Sequence, residues 1–291
     1  MIFLYLWKSN TQQMKKITFL LITLLCTTLT FAQKKEKVKG TKILKTEKHE
    51  VEAFQEIEIE DNLEVYLIKG DKNGIEIETD DNLHSAIDFK TYGKTLRLNT
   101  NKEIAGFKKL EIRVTYTDSL KLVSVKHEAN LNAISELQLK NITIKTFDYS
   151  KSSLNVNSDN FTLITNDKSK TDLNLKSQDA SIEMSKNSEL KALITSVKLK
   201  FDMYQKSEAK IEGDTNELKL RLDNNSKYNG NNLTSKMTNI TIEGTTECGI
   251  FSNGNLTVSA SGKSKLNIYG DPKIEIKKFA DEAILQKKIK Q

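Results

Sequence analysis

From Phe54 onward the chain alternates apolar and polar residues with a period of two. Ile57 and Ile59, then Leu63, Val65 and Leu67, alternate with Glu58, Glu60 and Glu64. Ile75 and Ile77 alternate with Glu76 and Glu78, Leu96 and Leu98 flank Arg97, and Ile112 and Val114 flank Arg113. Short runs of strict alternation are the pattern of strands with one buried face. Asp61-Asn62, Lys69-Gly70-Asp71, Asn73-Gly74 and Tyr92-Gly93-Lys94 separate these runs. Asn and Gly tolerate the positive φ that tight strand connections require.

The second half repeats. Ser150, Ser169, Ser188, Ser207 and Ser226 stand nineteen residues apart, and Ser264 falls two periods further on, with Cys248 read as the equivalent position of the skipped unit. Three apolar columns keep step with these serines. Eight residues before stand Ile142, Phe161, Ala180, Leu199, Leu218 and Leu256; six before stand Ile144, Leu163, Ile182, Phe201, Leu220 and Val258. Four after come Leu154, Leu173, Ala192, Ile211, Gly230 and Ile268. Columns two apart share one face of a strand, and one unit alone buries too little to be stable. A fixed period therefore predicts an all-β solenoid of about 19 residues per coil, whose columns stack into one interior. The alternating N-terminal section is expected to be continuous with it as a cap. A sandwich would need turns at varied spacing and reversed polarity in successive strands.

The N-terminus reads differently. Met14, Lys15 and Lys16 precede an apolar run from Ile17 to Leu29, followed by Thr30-Phe31-Ala32. A basic start, a short apolar stretch and a small residue describe an export signal, too short for a good membrane span. Residues 1–32 are thus expected to be a signal peptide cut after Ala32, with Met14 as the natural start. Lipid attachment at Cys26 is disfavoured because Leu25 is not small. Cleavage would leave one cysteine, Cys248, so burial and backbone ladders rather than disulfides must stabilise the fold. The net charge falls from +6 to +3, which does not call for nucleic acid or an anionic membrane as partner. Residues 33–50, with six lysines between Lys34 and Lys45, read as a flexible leader, and 277–291 as a basic tail that closes the solenoid or frays.

A family resemblance rests on short motifs in a specific order. Phe54-Gln55-Glu56-Ile57, Asp61-Asn62-Leu63-Glu64-Val65 and Lys69-Gly70-Asp71 resemble the opening of the auto-transporter adhesin head domains called GIN. Glu76-Ile77-Glu78-Thr79-Asp80-Asp81-Asn82-Leu83, Gly93-Lys94-Thr95-Leu96-Arg97-Leu98 and the closing Ile268-Tyr269-Gly270-Asp271-Pro272-Lys273-Ile274 are similar to later parts of that family. The likeness spans roughly 51–276. It implies a right-handed parallel β-helix on exported proteins common in the Bacteroidetes, and it brings no catalytic residues. Coils of the family often turn on Gly-Ser-Gly, whereas here the corners read Tyr149-Ser150-Lys151, Lys168-Ser169-Lys170 and Asn187-Ser188-Glu189.

Candidate chemistry is sparse. His49, His84 and His127 have no metal-ligand spacing, and a Cys248 nucleophile would need a base within reach. Asp148 and Asp167, nineteen apart, are expected to stack in adjacent coils. They are candidate calcium ligands and a conceivable pair for sugar cleavage. Lys151 and Lys168 stand beside them, however, and their column continues as Lys186, Gln205 and Asn224, as a solvated face would. No phosphate-binding loop is present, so no cofactor is expected. Asp118-Ser119-Leu120 resembles a short acceptor motif for O-linked glycans. Together these features predict an exported, non-catalytic envelope or surface protein that presents an extended β face to an envelope protein or glycan. A carbohydrate-active enzyme and a purely structural periplasmic protein are the alternatives.

Overall fold

The computed structural model describes residues 35–289. The signal peptide expected over residues 1–32, with Met14 and Cys26, lies outside that range. Val38–Gln291 form one compact unit, separate from the N-terminal unit Met1–Lys37, and the following concerns the larger one. Among the described residues there is no α-helix, only a single 3-10 turn at His84–Ala86. Strands follow one another as β1 (Lys37–Lys39), β2 (Leu44–Glu50), β3 (Glu56–Ile59), β4 (Glu64–Lys69), β5 (Gly74–Asp80), β6 (Ile87–Tyr92), β7 (Thr95–Thr100), β8 (Glu103–Ala105), β9 (Leu110–Tyr116) and β10 (Leu122–Val125). Then come the long strands β11 (Asn130–Thr146), β12 (Lys151–Thr165), β13 (Lys170–Met184), β14 (Glu189–Met203), β15 (Glu208–Leu222), β16 (Lys227–Ile242) and β17 (Glu247–Ala260). The short strands β18 (Lys265–Tyr269), β19 (Lys273–Phe279) and β20 (Ile284–Lys287) end the chain.

Strands β11 to β17 stack in parallel, each on the one nineteen or so residues earlier, in a solenoid of about nine turns. The predicted columns are the observed ones. Ile144, Leu163, Ile182, Phe201, Leu220, Ile240 and Val258 are successive register partners, none more than 1% exposed. Each long strand has two arms. In β12 the buried positions run Ser152, Leu154, Val156, Ser158, then skip two exposed residues, Asp159 and Asn160, and resume at Phe161, Leu163 and Thr165. That two-residue break shifts the alternation by one and bends the strand, so both arms turn their apolar side inward. Phe201 on one arm meets Tyr228 on the other edge-to-face, with ring centroids 5.3 Å apart, across the single core.

The serines sit at the corner. Phe147-Asp148-Tyr149-Ser150 is a tight turn in which the Ser150 N–H donates to Phe147 O at 3.0 Å, with φ of +50° and +62° at the two central residues. The same turn recurs at Asp167-Lys168, Lys186-Asn187, Gln205-Lys206 and Asn224-Asn225. Positive φ at both central positions is the primed-turn conformation, normally taken by Asn-Gly. Here neighbouring turns support one another: the Tyr149 N–H donates to Asp167 O at 3.1 Å and the Lys168 N–H to Lys186 O at 3.0 Å. The residue after the turn re-enters the core at its narrowest point and must be small. Ala129, Ser150, Ser169, Ser188, Ser207, Ser226, Thr246, Ser264 and Ala283 follow one another at this place. Thr246, not Cys248, holds the skipped unit. Ser226 to Thr246 is 20 residues and Thr246 to Ser264 is 18, so the phase returns. The extra residue is absorbed by a register shift between Lys210 and Glu212 against β16.

At the N-terminal end the chain does not wind in simple order. Strands β3 and β4 lie between β10 and β11 on one side and β7 and β9 on the other, all parallel. Antiparallel strands then close this end: β6 on β7, and β5 on β9 with β2 outside it. The leader expectation is therefore corrected over Leu44–Glu50, which pairs residue for residue with Gly74–Asp80. A lysine-rich strand on a sheet edge keeps one side in water and so lacks an alternation signal. Of the two expectations for the C-terminal segment, the described part follows the first: through Lys287 it continues the stack, with β19 on β17 and β20 on β18.

Asp80 ties the N-terminal segment down. It is fully buried, and its carboxylate accepts N–H bonds from Lys42 at 2.7 Å and Lys108 at 3.0 Å. Burial opposes its charge, but the backbone N–H groups of Lys42, Lys108 and Lys109 outweigh that and hold the carboxyl below its ordinary 3.8. A depressed native pKa gives stability that is present above 3.8 and lost as pH falls through the native value. Amide exchange protection at residues 38–50, measured against the intrinsic rate at each pH, should thus fall below pH 3.8, and Asp80→Asn should show weak protection there already at neutral pH. Unchanged protection in the variant would remove this role.

In the corner column, the Thr165 hydroxyl donates to Ser188 Oγ at 2.9 Å with both residues fully buried. Ser188→Ala leaves the Thr165 hydroxyl unpaired and should cost about 1–3 kcal/mol in urea unfolding, whereas Thr165→Val combined with Ser188→Ala should cost less than the sum of the singles.

Candidate binding face

Polar columns run along the outside of the second arm, one residue to either side of the buried column Ile142, Phe161, Ala180, Leu199 and Leu218. One column reads Asn160, Asp179, Lys198, Glu217, Met237 and Asn255. Its neighbour reads Thr162, Ser181, Lys200, Lys219, Asn239 and Thr257. Between them lies an open groove of about 780 Å³. Its floor is backbone and its rims are amides, hydroxyls and ammonium groups, with Met237, 48% exposed, as an apolar contact point. The Lys200 Nζ pairs with Asp202 at 2.7 Å, and that hydrogen bond raises the Lys200 pKa. Asp179 and Glu217 occupy one column with Lys198 between them, two coil spacings apart, or about 10 Å. Along its length the groove offers both donors and acceptors and charges of both signs to an elongated ligand.

Residues singled out from sequence are scattered around this surface. Asp148 and Asp167 do lie in adjacent corner turns and are solvent-facing. Asp148 faces His127 at 3.6 Å and Asp167 faces Lys186 at 3.5 Å, so each carboxylate has a basic neighbour of its own. Among the described residues no group of three or more His, Cys, Asp or Glu converges as a metal site would need. His49 stacks on Phe89 with centroids 4.7 Å apart, and His84 Nε2 sits 3.1 Å from Lys45 O. Ser119 is half-buried: its hydroxyl donates to Phe54 O at 2.9 Å, while the exposed Asp118 pairs with Lys69 at 2.7 Å. The repeat serines are structural, buried inside the corners.

Cys248 is 1% exposed, and burial alone pushes its thiol far above the ordinary range. A protonated, enclosed thiol is unreactive. Sequence reasoning missed the groove residues Lys198, Lys200, Lys219, Met237 and Asn239. The signal was available in the apolar columns, since the outward positions flanking each buried one define the rims.

The fold has known relatives. Residues 53–272 match the family model described as "Putative auto-transporter adhesin, head GIN domain". This chain belongs to the GIN-domain family. A putative adhesin from Parabacteroides merdae is similar at 19% identity and a TM-score of 0.63, covering 87% of this chain and 98% of that one. A putative adhesin from Parabacteroides distasonis is similar at 17% identity and a TM-score of 0.65, covering 86% and 99%. A further structure from that species, described as a putative lipid binding protein, is similar at 13% identity and a TM-score of 0.59, covering 87% and 98%. These likenesses show that the fold is shared. Comparison with curated proteins gives no match. No helix among the described residues is long and apolar enough to cross a membrane.

With the thiol enclosed, maleimide should leave Cys248 unmodified in the folded GIN domain at pH 8 and label it fully in denaturant. Labelling at equal rates in both states would contradict the burial.

Proposed function

We propose that this GIN domain is an exported, non-catalytic envelope module that holds a glycan along the outer groove of the second arm. The observation behind this reading is the repetition of the groove itself. Coils rise about 4.8 Å each, comparable to the advance of one sugar unit along an extended polysaccharide. Each coil adds a donor or acceptor to one rim, through Thr162, Ser181, Lys200, Lys219, Asn239 and Thr257, and all but the Met237 coil add one to the other. Solenoids suit such long ligands because their surface grows with the repeat. Mixed signs along the rims, Asp179, Lys198 and Glu217, fit a neutral or zwitterionic chain better than a strongly anionic one. Family membership supports an exported or surface setting, and the described residues add no membrane-spanning helix to it.

A panel of envelope and host polysaccharides, titrated against the purified chain, tests the reading. Binding of at least one neutral or zwitterionic glycan is expected. Lys200→Glu combined with Asn239→Ala should weaken it about tenfold or more, as two or three hydrogen bonds of about 0.5–1.5 kcal/mol each are lost. Thermal stability should fall only modestly, by the loss of the surface Lys200–Asp202 ion pair. Undiminished binding in that variant would move the site off this groove. Cleavage of a polysaccharide that disappears in Asp179→Asn or Glu217→Gln would replace a binding module with an enzyme.

A further inference from the structure

Met237 is the one apolar member of the outer column Asn160, Asp179, Lys198, Glu217, Met237 and Asn255, and it is 48% exposed. Met184 and Met203, by contrast, are fully buried. A bulge fixes the chain beside it. Between the pairs Ser235–Ser252 and Met237–Asn255 the next strand carries one residue more. Gly254 passes so close there that a Cβ on it would lie 1.9 Å from Lys236 O. Bulges of this kind re-aim side chains beside binding sites.

A single exposed apolar side chain is ordinary; the neighbours set this one apart. Glu217 and Asn255 flank Met237 one coil to either side, about 4.8 Å away. Asn239 follows two residues on, on the same face, with Lys219 as its register partner. All four neighbours are exposed, and among the described residues none of their side chains has a hydrogen bond or ion pair. Elsewhere the outer columns pair off: Lys170 with Glu189, Lys210 with Glu212, Asn174 with Asn155 and Lys200 with Asp202. An apolar contact thus stands among a free acceptor and free donors, and the charges of Glu217 and Lys219 cancel.

An acetamido group has the matching composition. Its methyl needs an apolar contact, its N–H an acceptor and its C=O a donor, and it carries no charge. A hydroxyl in its place would engage the polar groups alone. We propose that the groove selects an N-acetylated sugar, with the acetamido methyl on Met237, its N–H toward Glu217 and its carbonyl toward the amide of Asn239 or Asn255. The proposal rests on the groove reading above and adds the substituent that the glycan carries.

Chitohexaose and cellohexaose share one backbone and differ in bearing acetamido or hydroxyl at the second ring carbon. In calorimetric titration of the purified chain, chitohexaose should bind about tenfold or more tighter. Met237→Asn, which puts the amide of Asn160 and Asn255 at this place, should weaken chitohexaose about tenfold and leave cellohexaose unchanged, so that the preference disappears. Met237→Leu should keep the preference, and Glu217→Ala should reduce it. With labelled methionine methyls, the NMR signal of Met237 should move on adding chitohexaose while those of the buried Met184 and Met203 stay. Melting curves should show all three variants folded. Equal binding of the two sugars, a preference that survives Met237→Asn, or no binding of chitohexaose overturns this inference. The groove reading falls separately: it fails if no glycan of the wider panel binds, or if Lys200→Glu with Asn239→Ala leaves binding intact.

Discussion

Stacking in register is the constraint on which this molecule depends. No coil has a core of its own. Each contributes a ring of apolar side chains that is buried only because the same ring recurs above and below it, and each fully buried Leu or Ile contributes about 1.5–3 kcal/mol on that condition. The backbone obeys the same rule. A strand such as β13 satisfies its N–H and C=O groups through β12 and β14, not within itself. A slip of one residue in any coil would turn its inward positions outward, so the whole column shares one register. That explains why a coil of 20 residues is followed by one of 18: the extra residue at Gly230-Asn231 in β16 is tolerated only because the next coil corrects it.

Corners make the register possible, and they are the costly element. The six corners that end at Ala129 through Ser226 each place two residues at positive φ, drawn from His, Glu, Asp, Tyr, Lys, Asn and Gln, whereas the last three place one, Gly244, Gly262 or Asp281. Left-handed backbone costs such residues roughly 1–2 kcal/mol apiece. The stacked turns offset this by exchanging an N–H···O=C bond with the next turn. Family coils with Gly-Ser-Gly corners avoid much of the strain, and this chain instead leans on its neighbours. The small residue that follows is the fixed element. Ala129 and Ala283 stand at the two ends of a column otherwise made of Ser and Thr, so size at the re-entry point matters more than the hydroxyl.

These features account for what could be read from residues alone. The apolar columns and the serine spacing were legible because burial fixes residue type at every coil. The GIN motifs were legible for a related reason: turns such as Lys69-Gly70-Asp71 and Gly93-Lys94 have chemical requirements. Strand β2 was not legible, since an edge strand of Leu-Lys-Thr-Glu-Lys-His-Glu has no dry face to impose alternation. Thr246 was masked by the 20/18 pair, which shifted it off the period and left Cys248 as the nearer guess. Of the candidate site, Asp148 and Asp167 were placed correctly in adjacent coils, but their partners were not foreseen. His127 comes from the coil before and Lys186 from the coil after, so each acid looks along the stack to a base.

The outer columns follow a looser logic than the core. Some are neutralised pair by pair, as in Lys170 with Glu189 at 2.9 Å, or laddered by amides, as in Asn174 with Asn155 at 3.1 Å. Such exposed pairs add little stability; their effect is to let like columns stack without repulsion. On the second arm the rim is less self-satisfied: Lys198 stands between two acids and Lys219 adjoins Lys200 along its column. A solenoid needs its outward side chains only to be soluble and mutually tolerable, so any further order there is free to be selected for a ligand. Two polar rims of constant spacing along the second arm have order of that kind.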